Sequence, residues 1–227
     1  MAGPLHAGVV SYTGSDVANS TDPRPNSNAA AASFLTAANA LGPTSLITFE
    51  SAPLGSFHNY AVAPGVTMNG TDGVTSADQT IVNSPYSTPD GIYGYNTTPS
   101  GSNFVQLLGG NLVFSFSPSI QSFGAYFTGV QTSAETITFS DGSSQSVSIP
   151  EPGTSSSGGI SFVGFTDAGN QIASVTINAL GDIIGVDDVR FGFVASTPEP
   201  GTLTLLGLGL LAIGGSRFFR RRALRQI

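Results

Sequence analysis

The side chains that could act in catalysis are few in this chain. The sequence has no cysteine, and its two histidines are His6 and His58. A serine or threonine nucleophile needs a general base within hydrogen-bonding distance, and the Gly-x-Ser-x-Gly motif of the hydrolase elbow is absent. His58 falls in a polar Ser-Phe-His-Asn-Tyr stretch, which predicts an exposed loop. We therefore predict no catalytic residue and no enzyme activity.

Acidic side chains offer a second kind of chemistry. Glycoside hydrolysis needs two carboxyl groups at a defined separation, and no spacing in the sequence places two acids in that way. The acids considered are Glu50, Glu135, Glu151, Asp182, Asp187 and Asp188.

Two of these positions suggest a metal site instead. Glu50 ends the first predicted strand, and Asp187 and Asp188 open the last one. Calcium takes six to eight oxygen ligands, and in carbohydrate-binding jelly rolls a structural calcium commonly joins such early and late acids. By this analogy we predict a structural Ca²⁺ on Glu50 and Asp187, with Asp188 as the next candidate. The alternative is that Asp187 caps a turn while Asp188 or Arg190 pairs across the sheet.

A tyrosine-rich loop is the candidate ligand site. Sugars bind to exposed aromatic rings beside polar groups, and Tyr93, Tyr95 and Asn96 supply both in one short segment. The alternative is that these tyrosines only pack the loop, and the absence of tryptophan favours it.

The charge distribution excludes one class of partner. Residues 1–200 contain two arginines, Arg24 and Arg190, against all fourteen acidic residues of the chain. Such an acidic body repels phosphates, so we predict no nucleic-acid binding.

The C-terminal tail, Pro198–Ile227, has a different composition. Pro198, Glu199 and Pro200 precede an apolar run that ends in arginines. Even residues 203–219 would reach only about 25 Å as a helix, against a hydrocarbon core of roughly 30 Å, so the run predicts a marginal transmembrane helix; the alternative is a buried core helix. The anchoring residues are Leu203, Leu205, Leu206, Leu208, Leu210, Leu211 and Ile213, and the basic cluster, expected to stay cytoplasmic, is Arg217, Arg220, Arg221 and Arg222.

This order of motif, apolar run and arginines resembles the PEP-CTERM sorting signal of Gram-negative bacteria. The resemblance implies recognition by an exosortase, passage through the inner membrane, and removal of the tail on delivery to the cell surface or extracellular matrix. The three-residue motif alone is not the signal, because residues 150–154 repeat Pro-Glu-Pro-Gly-Thr without an apolar run. Residues 1–10 lack the features of a signal peptide, and we expect the leader to lie upstream of them.

The elements that must position these residues are mostly strands. Residues 28–41 are rich in alanine and stop at Gly42-Pro43, which predicts a short helix capped by Asn26, Ser27 or Asn28. Beyond it the apolar residues alternate, whereas residues 11–28 and 69–102 predict loops. Asp141-Gly142 predicts a hairpin turn. The ten predicted strands cover residues 46–49, 65–68, 103–107, 111–117, 121–128, 135–140, 145–149, 160–165, 172–178 and 185–193.

These elements predict an all-β fold, a two-sheet antiparallel sandwich that is jelly-roll-like, with a barrel as the alternative. The body also resembles exosortase-dependent surface proteins, in segments that include residues 47–50, 123–130, 139–142, 164–167 and 184–191. We divide the chain into a polar segment (1–27), a sandwich domain with its leading helix (28–196) and the sorting tail (197–227). The predicted function is a non-catalytic exported surface or matrix protein, and the alternative is a calcium-dependent module that binds extracellular polysaccharide.

Overall fold

Strands make up most of the folded body. A computed structural model describes residues 8–88, 91–132, 134–140, 144–152 and 159–194. They belong to one unit, Met1–Val194, while the predicted tail falls in a second, Ala195–Ile227. The elements are β1 (Val10–Asp16), α1 (Pro25–Leu41), β2 (Thr44–Ile47), β3 (Gly55–Ser56), β4 (Tyr60–Ala63), β5 (Val66–Asn69), β6 (Thr80–Val82), β7 (Tyr86–Thr88), β8 (Gly91–Tyr93), β9 (Phe104–Thr128), β10 (Thr136–Ser140), β11 (Ser144–Ser148), β12 (Ile160–Thr166) and β13 (Ile172–Phe193).

Eleven of these strands form one hydrogen-bonded sheet, and β7 and β8 form a separate pair. The order through the sheet is β1-β12-β9-β13-β10-β11. β6 pairs with residues 104–106 of β9, β5 pairs with residues 113–116 of β9, and β2 pairs with the end of β13. The predicted mostly β class is therefore confirmed.

The two longest strands hold the sheet together. We predicted three strands within residues 103–128 and two within residues 172–193, and both divisions are wrong. β9 bends at Gly109 and Gly110, whose φ angles of 66° and 67° lie in the left-handed region that glycine adopts at little cost. Hydrogen-bonded pairing continues past the bend, from Leu108–Ile183 through Gly110–Leu180 to Asn111–Asn178. The residues of β9 before and after the bend therefore both pair with β13.

The core lies where the sheet folds over on itself. Phe139 of β10 stacks on Phe165 of β12, with ring centroids 3.9 Å apart. Phe123 of β9 lies 5.8 Å from Phe114 and 6.3 Å from Phe116, which come earlier in the same strand. Four of these five rings are at most 4% exposed, and Phe116 is 6% exposed. Burial of such large apolar side chains is the main stabilising contribution to this fold.

The helix begins earlier than predicted and is capped differently. It starts at Pro25, a residue suited to the first helical position, and none of the predicted caps Asn26, Ser27 and Asn28 is correct. Asp16 of β1 instead accepts hydrogen bonds from the main-chain N–H groups of Asn26 (3.1 Å) and Ser27 (2.8 Å). A carboxylate from a neighbouring strand thus satisfies the free donors at the helix start. The predicted stop after Leu41 is confirmed.

Strand β1 pairs with the edge of β12, and the helix packs against both strands. The prediction of a loop for residues 11–28 is wrong at Val10–Asp16, which pairs with β12 along its whole length. Phe34 of the helix fits over Gly124 and Gly164, which are cross-strand partners. A Cβ atom added to Gly164 would come within 2.7 Å of the Phe34 ring. The two glycines therefore provide the space that seats the helix.

Two further loop predictions have mixed outcomes. β10 and β11 form the predicted hairpin, with Ser140 opposite Ser144, but its predicted turn residues Asp141 and Gly142 lie outside the described residues. The segment 69–102, predicted as loop, contains the three short strands β6, β7 and β8. These strands have only three residues each, too few to show an alternating pattern.

Candidate functional site

A cleft of about 540 Å³ opens between three loops of the body. Its lining consists of Ser20, Thr21, Arg24, Asn83, Pro85, residues 95–102 and Phe104. Ligand sites typically have volumes in the range of about 300–1,000 Å³. The lining is rich in hydroxyl and amide groups and includes no acidic side chain.

The wall of this cleft is a loop, residues 96–103, that we call the cleft loop. The carboxylate of Glu50 accepts hydrogen bonds from this loop. One oxygen of Glu50 accepts a hydrogen bond from the side-chain amide of Asn96 at 2.7 Å. The carboxylate also accepts the main-chain N–H groups of Ser102 (2.9 Å) and Asn103 (3.1 Å). Glu50 therefore ties both ends of the loop to one point.

Two consecutive acids of β13 hold the middle of the cleft loop. Asp187 Oδ2 accepts the main-chain N–H of Thr97 at 2.7 Å, and Asp188 accepts the hydroxyl groups of Thr97 and Thr98 at 2.9 Å each. In a regular strand such neighbours point to opposite faces. Asp188 has a left-handed φ of 47°, which breaks the alternation, so both carboxylates reach the same loop. Glu50, Asp187 and Asp188 together form what we call the carboxylate clamp.

Asp187 is the most deeply buried member of the clamp. Its side chain is fully buried, and its Oδ1 atom has no hydrogen-bond partner among the residues that the structure describes. Burial raises the pKa of Asp187 to about 7, and the charge of Asp188 acts in the same direction, although the N–H of Thr97 opposes them. Asp187 thus titrates near neutral pH.

The clamp residues are those predicted as calcium ligands, and the structure uses them differently. Their oxygens face N–H and O–H donors of the cleft loop. Within the described ranges, no three Asp, Glu or His side chains are grouped as a metal ion would require. The calcium site on Glu50, Asp187 and Asp188 stays a prediction, and in this structure their oxygens accept hydrogen bonds from the cleft loop.

The predicted sugar-binding residues are divided between two places. Tyr95 and Asn96 line the cleft, whereas Tyr93 lies in β8 and is not among the lining residues. Tyr95 is only 5% exposed and donates its hydroxyl to the carbonyl of Ala18 at 2.7 Å, so its ring is not an exposed platform. Ligand recognition in this cleft would depend on the hydroxyl and amide groups.

Arg24 is a cleft residue that we did not predict. Its Nη2 atom donates to the carbonyl of Thr97 at 2.7 Å, and its guanidinium lies 5.3 Å from the centre of the Tyr126 ring, as in a cation–π contact. Arg24 and Asp187 therefore bind the same residue of the cleft loop, Arg24 through the carbonyl of Thr97 and Asp187 through its N–H. The sequence could have drawn attention to Arg24, because it is one of two arginines in residues 1–200.

Among the remaining residues considered for catalysis, those that the structure describes do not line the cleft. His58 is exposed, as predicted, and its Nδ1 atom is 3.3 Å from the Asp78 carboxylate. His6 lies outside the described residues. Glu135 and Asp182 are both buried, and neither lines the cleft.

The predicted sorting residues Pro198, Glu199 and Pro200 and the arginine cluster also lie outside the described residues, as does the predicted anchor. Within the ranges that the structure covers, no helix combines the length and apolar character needed to cross a membrane.

Comparison with solved structures finds chains of low similarity. The carbohydrate-binding module CBM29_1 from Piromyces equi is 11% identical, with a TM-score of 0.35, over 66% of this chain and 90% of that one. CpGH89CBM32-6 of Clostridium perfringens is 10% identical, with a TM-score of 0.31, over 60% of this chain and 99% of that one. The catalytic unit of the GH87 alpha-1,3-glucanase from Streptomyces thermodiastaticus is 13% identical, with a TM-score of 0.31, over 64% of this chain and 29% of that one.

No curated protein matches the chain. A family model described as the PEP-CTERM protein-sorting motif matches residues 196–222. The match includes Pro198, Glu199 and Pro200, the apolar run and the arginines up to Arg222. This chain therefore carries a PEP-CTERM sorting motif, as its sequence predicts, and the motif implies processing by an exosortase.

Proposed function

We propose that this chain is a non-catalytic protein of the bacterial surface or extracellular matrix, which an exosortase sorts through its C-terminal tail. The match of residues 196–222 to the sorting motif carries the proposal. In this proposal the apolar run from Leu203 holds the chain transiently in the inner membrane, with the arginines on the cytoplasmic side. The body is proposed to be a sandwich of the jelly-roll kind.

Mass spectrometry of the mature protein tests the sorting proposal. In a host with an active exosortase we expect a C-terminus that lacks most of residues 198–227. In the same host without the exosortase we expect the full tail to remain. A full-length C-terminus in both hosts would contradict the proposal.

The internal Pro150-Glu151-Pro152 copy provides a matched control. Replacing Pro198, Glu199 and Pro200 with alanine should abolish processing, since the motif is the recognised feature. The same replacement at residues 150–152 should leave processing unchanged, because no apolar run follows this copy. Equal processing of both variants would mean that the motif is not the site read by the protease.

A second candidate function is binding of extracellular polysaccharide in the cleft. The observation that favours it is the lining of the cleft, which presents the side chains of Asn83, Asn96, Ser100 and Ser102 together with Arg24. Amide and hydroxyl groups of this kind form hydrogen bonds with sugar hydroxyls. The clamp below the cleft loop would keep these groups in place before a ligand arrives, which lowers the entropy cost of binding.

A glycan array with purified full-length protein tests this second function. Asn83 is an exposed residue of the cleft, and loss of one hydrogen bond in Asn83→Ala should weaken binding roughly threefold to tenfold. Gln131→Ala, an exposed amide outside the cleft lining, should bind like the wild type. Each protein is assayed with calcium and with EDTA. Absence of binding to every glycan in both conditions would reject the polysaccharide function and leave the sorting proposal intact.

A further inference from the structure

A buried pair of carboxyl groups lies where β10 begins beside β13. Glu135 immediately precedes β10 and is 0% exposed, and Asp182 within β13 is 7% exposed. The two oxygens of Asp182 each accept a main-chain N–H at 2.7 Å, one from Gln131 and one from Ile183. Both oxygens of Asp182 thus have a main-chain donor, and a carboxyl oxygen can accept a further hydrogen bond through its second lone pair.

Glu135 has the opposite surroundings. Both of its carboxyl oxygens are buried without a hydrogen bond of standard geometry among the described residues. Two polar groups act on them: the Asp182 carboxyl, which raises the pKa of Glu135, and the main-chain N–H of Glu135 itself, which lowers it by less. Two ionised carboxylates can only accept hydrogen bonds, and an unpaired buried charge is very unfavourable. A single proton resolves the contact, because a protonated Glu135 donates its O–H to Asp182.

The other groups around Glu135 favour this protonated form. Glu151, an exposed residue of the segment after β11, adds a further negative charge, and no basic side chain in the described part of the chain acts on Glu135. A metal ion would need more ligands, and the described part of the chain has no suitable group of three Asp, Glu or His side chains. A proton is therefore the occupant that fits the site.

We propose that Glu135 and Asp182 form a proton-dependent latch that fastens the loop after β9, and the start of β10, to β13. The latch joins three segments of the body. Gln131 and Ile183 bind Asp182 through their N–H groups, and the main-chain carbonyl of Glu135 accepts the N–H of Ile149, which follows β11, at 3.0 Å. Loss of the proton puts two negative charges in contact inside the body and loosens these segments.

The pH range of the latch follows from its surroundings. Burial, and then the contact with Asp182, raises the pKa of Glu135 from 4.5 to about 8. The unfolded chain loses this proton above its ordinary pKa, while the folded chain keeps it until about pH 8. The stabilisation is complete below the ordinary pKa of 4.5 and is lost as the pH rises to about 8. Within this window the unfolding equilibrium constant should rise by about tenfold per pH unit from this group alone.

Denaturant unfolding between about pH 5 and about pH 9 tests the latch. Glu135→Gln cannot titrate, yet its amide can still donate to Asp182. We expect the wild type to lose stability across the window and Glu135→Gln to lack that component. Asp187, with a pKa of about 7, titrates in both proteins and cancels in the difference.

Two further variants and one local measurement complete the test. Asp182→Asn should also flatten the pH profile, because its amide can donate to an ionised Glu135, whereas the exposed Glu151→Gln should keep nearly the wild-type slope. Hydrogen exchange at the amides of Gln131, Ile149 and Ile183 should accelerate in the wild type at alkaline pH relative to Glu135→Gln. Equal slopes in the wild type and Glu135→Gln would overturn the proposal. So would calcium restoring alkaline stability to the wild type alone, since a cation would then be the occupant.

Discussion

Replacing Glu50 with alanine should lower the free energy of unfolding by about 2–4 kcal/mol and release the cleft loop. The carboxylate is the shared acceptor for Asn96, Ser102 and Asn103. A donor left without its partner in a partly buried site costs about 1–3 kcal/mol, and water reaches the exposed Ser102 more easily than the other two. Urea unfolding followed by circular dichroism gives the total loss, and hydrogen exchange at the Ser102 and Asn103 amides reports the loop itself.

Two controls separate the clamp from a general effect of removing an acid. Glu50→Gln keeps the shape and one acceptor oxygen, so its loss should fall between those of the wild type and Glu50→Ala. Glu151→Ala removes an exposed acid and should change stability by less than about 0.5 kcal/mol. If Glu50→Ala were as stable as Glu151→Ala, the clamp would not hold the loop. Release of the loop should also abolish any binding in the cleft, because Asn96 and Ser102 line it.

The second large effect is expected in the core. Phe123→Ala should destabilise the body by about 3–5 kcal/mol, which is typical of removing a buried phenylalanine. The ring is 0% exposed and contacts aromatic rings on two strands, Phe114 of β9 at 5.8 Å and Phe165 of β12 at 5.9 Å. At roughly 2–4 °C per kcal/mol for a body of this size, the melting temperature should fall by about 10 °C.

Matched variants show whether this loss reflects the position of Phe123. Phe123→Leu nearly conserves the apolar volume and should cost less than about 1.5 kcal/mol. Phe193 is only partly buried, near the end of the body, and contacts Phe191 at 5.2 Å, so Phe193→Ala should be milder than Phe123→Ala. If Phe123→Ala and Phe193→Ala lowered the free energy of unfolding equally, the core packing would not depend on the position of Phe123.

The sorting motif could be predicted from the sequence because its recognition depends on local order. Pro198-Glu199-Pro200, the apolar run and the arginines follow one another in the chain, and no distant contact is needed to read them. The same holds for the mostly β class, since alternation of apolar residues is a property of each segment by itself. It also holds for the end of the helix, where Gly42 and Pro43 act on the residues beside them.

The chemistry of the body could be predicted only in part. Glu50, Asp187 and Asp188 stood out as acids at strand ends, and they do lie around one loop. Their partners, however, are threonine, asparagine and serine groups of that loop, between 46 and 91 positions away in sequence. The latch between Glu135 and Asp182 gave no local signal either. Side chains that meet across the sheet are placed by strand register.

Register in turn depends on features that no local pattern reports. The bend at Gly109 and Gly110 lets one strand take part in two regions of the sheet, and β1 is a strand because β12 has a free edge beside it. Asp16 caps the helix only once β1 is paired. Motif order and segment type therefore follow from short-range sequence, whereas hydrogen-bond partners and burial follow from long-range packing, because the free energy of a polar contact depends on which residues surround it.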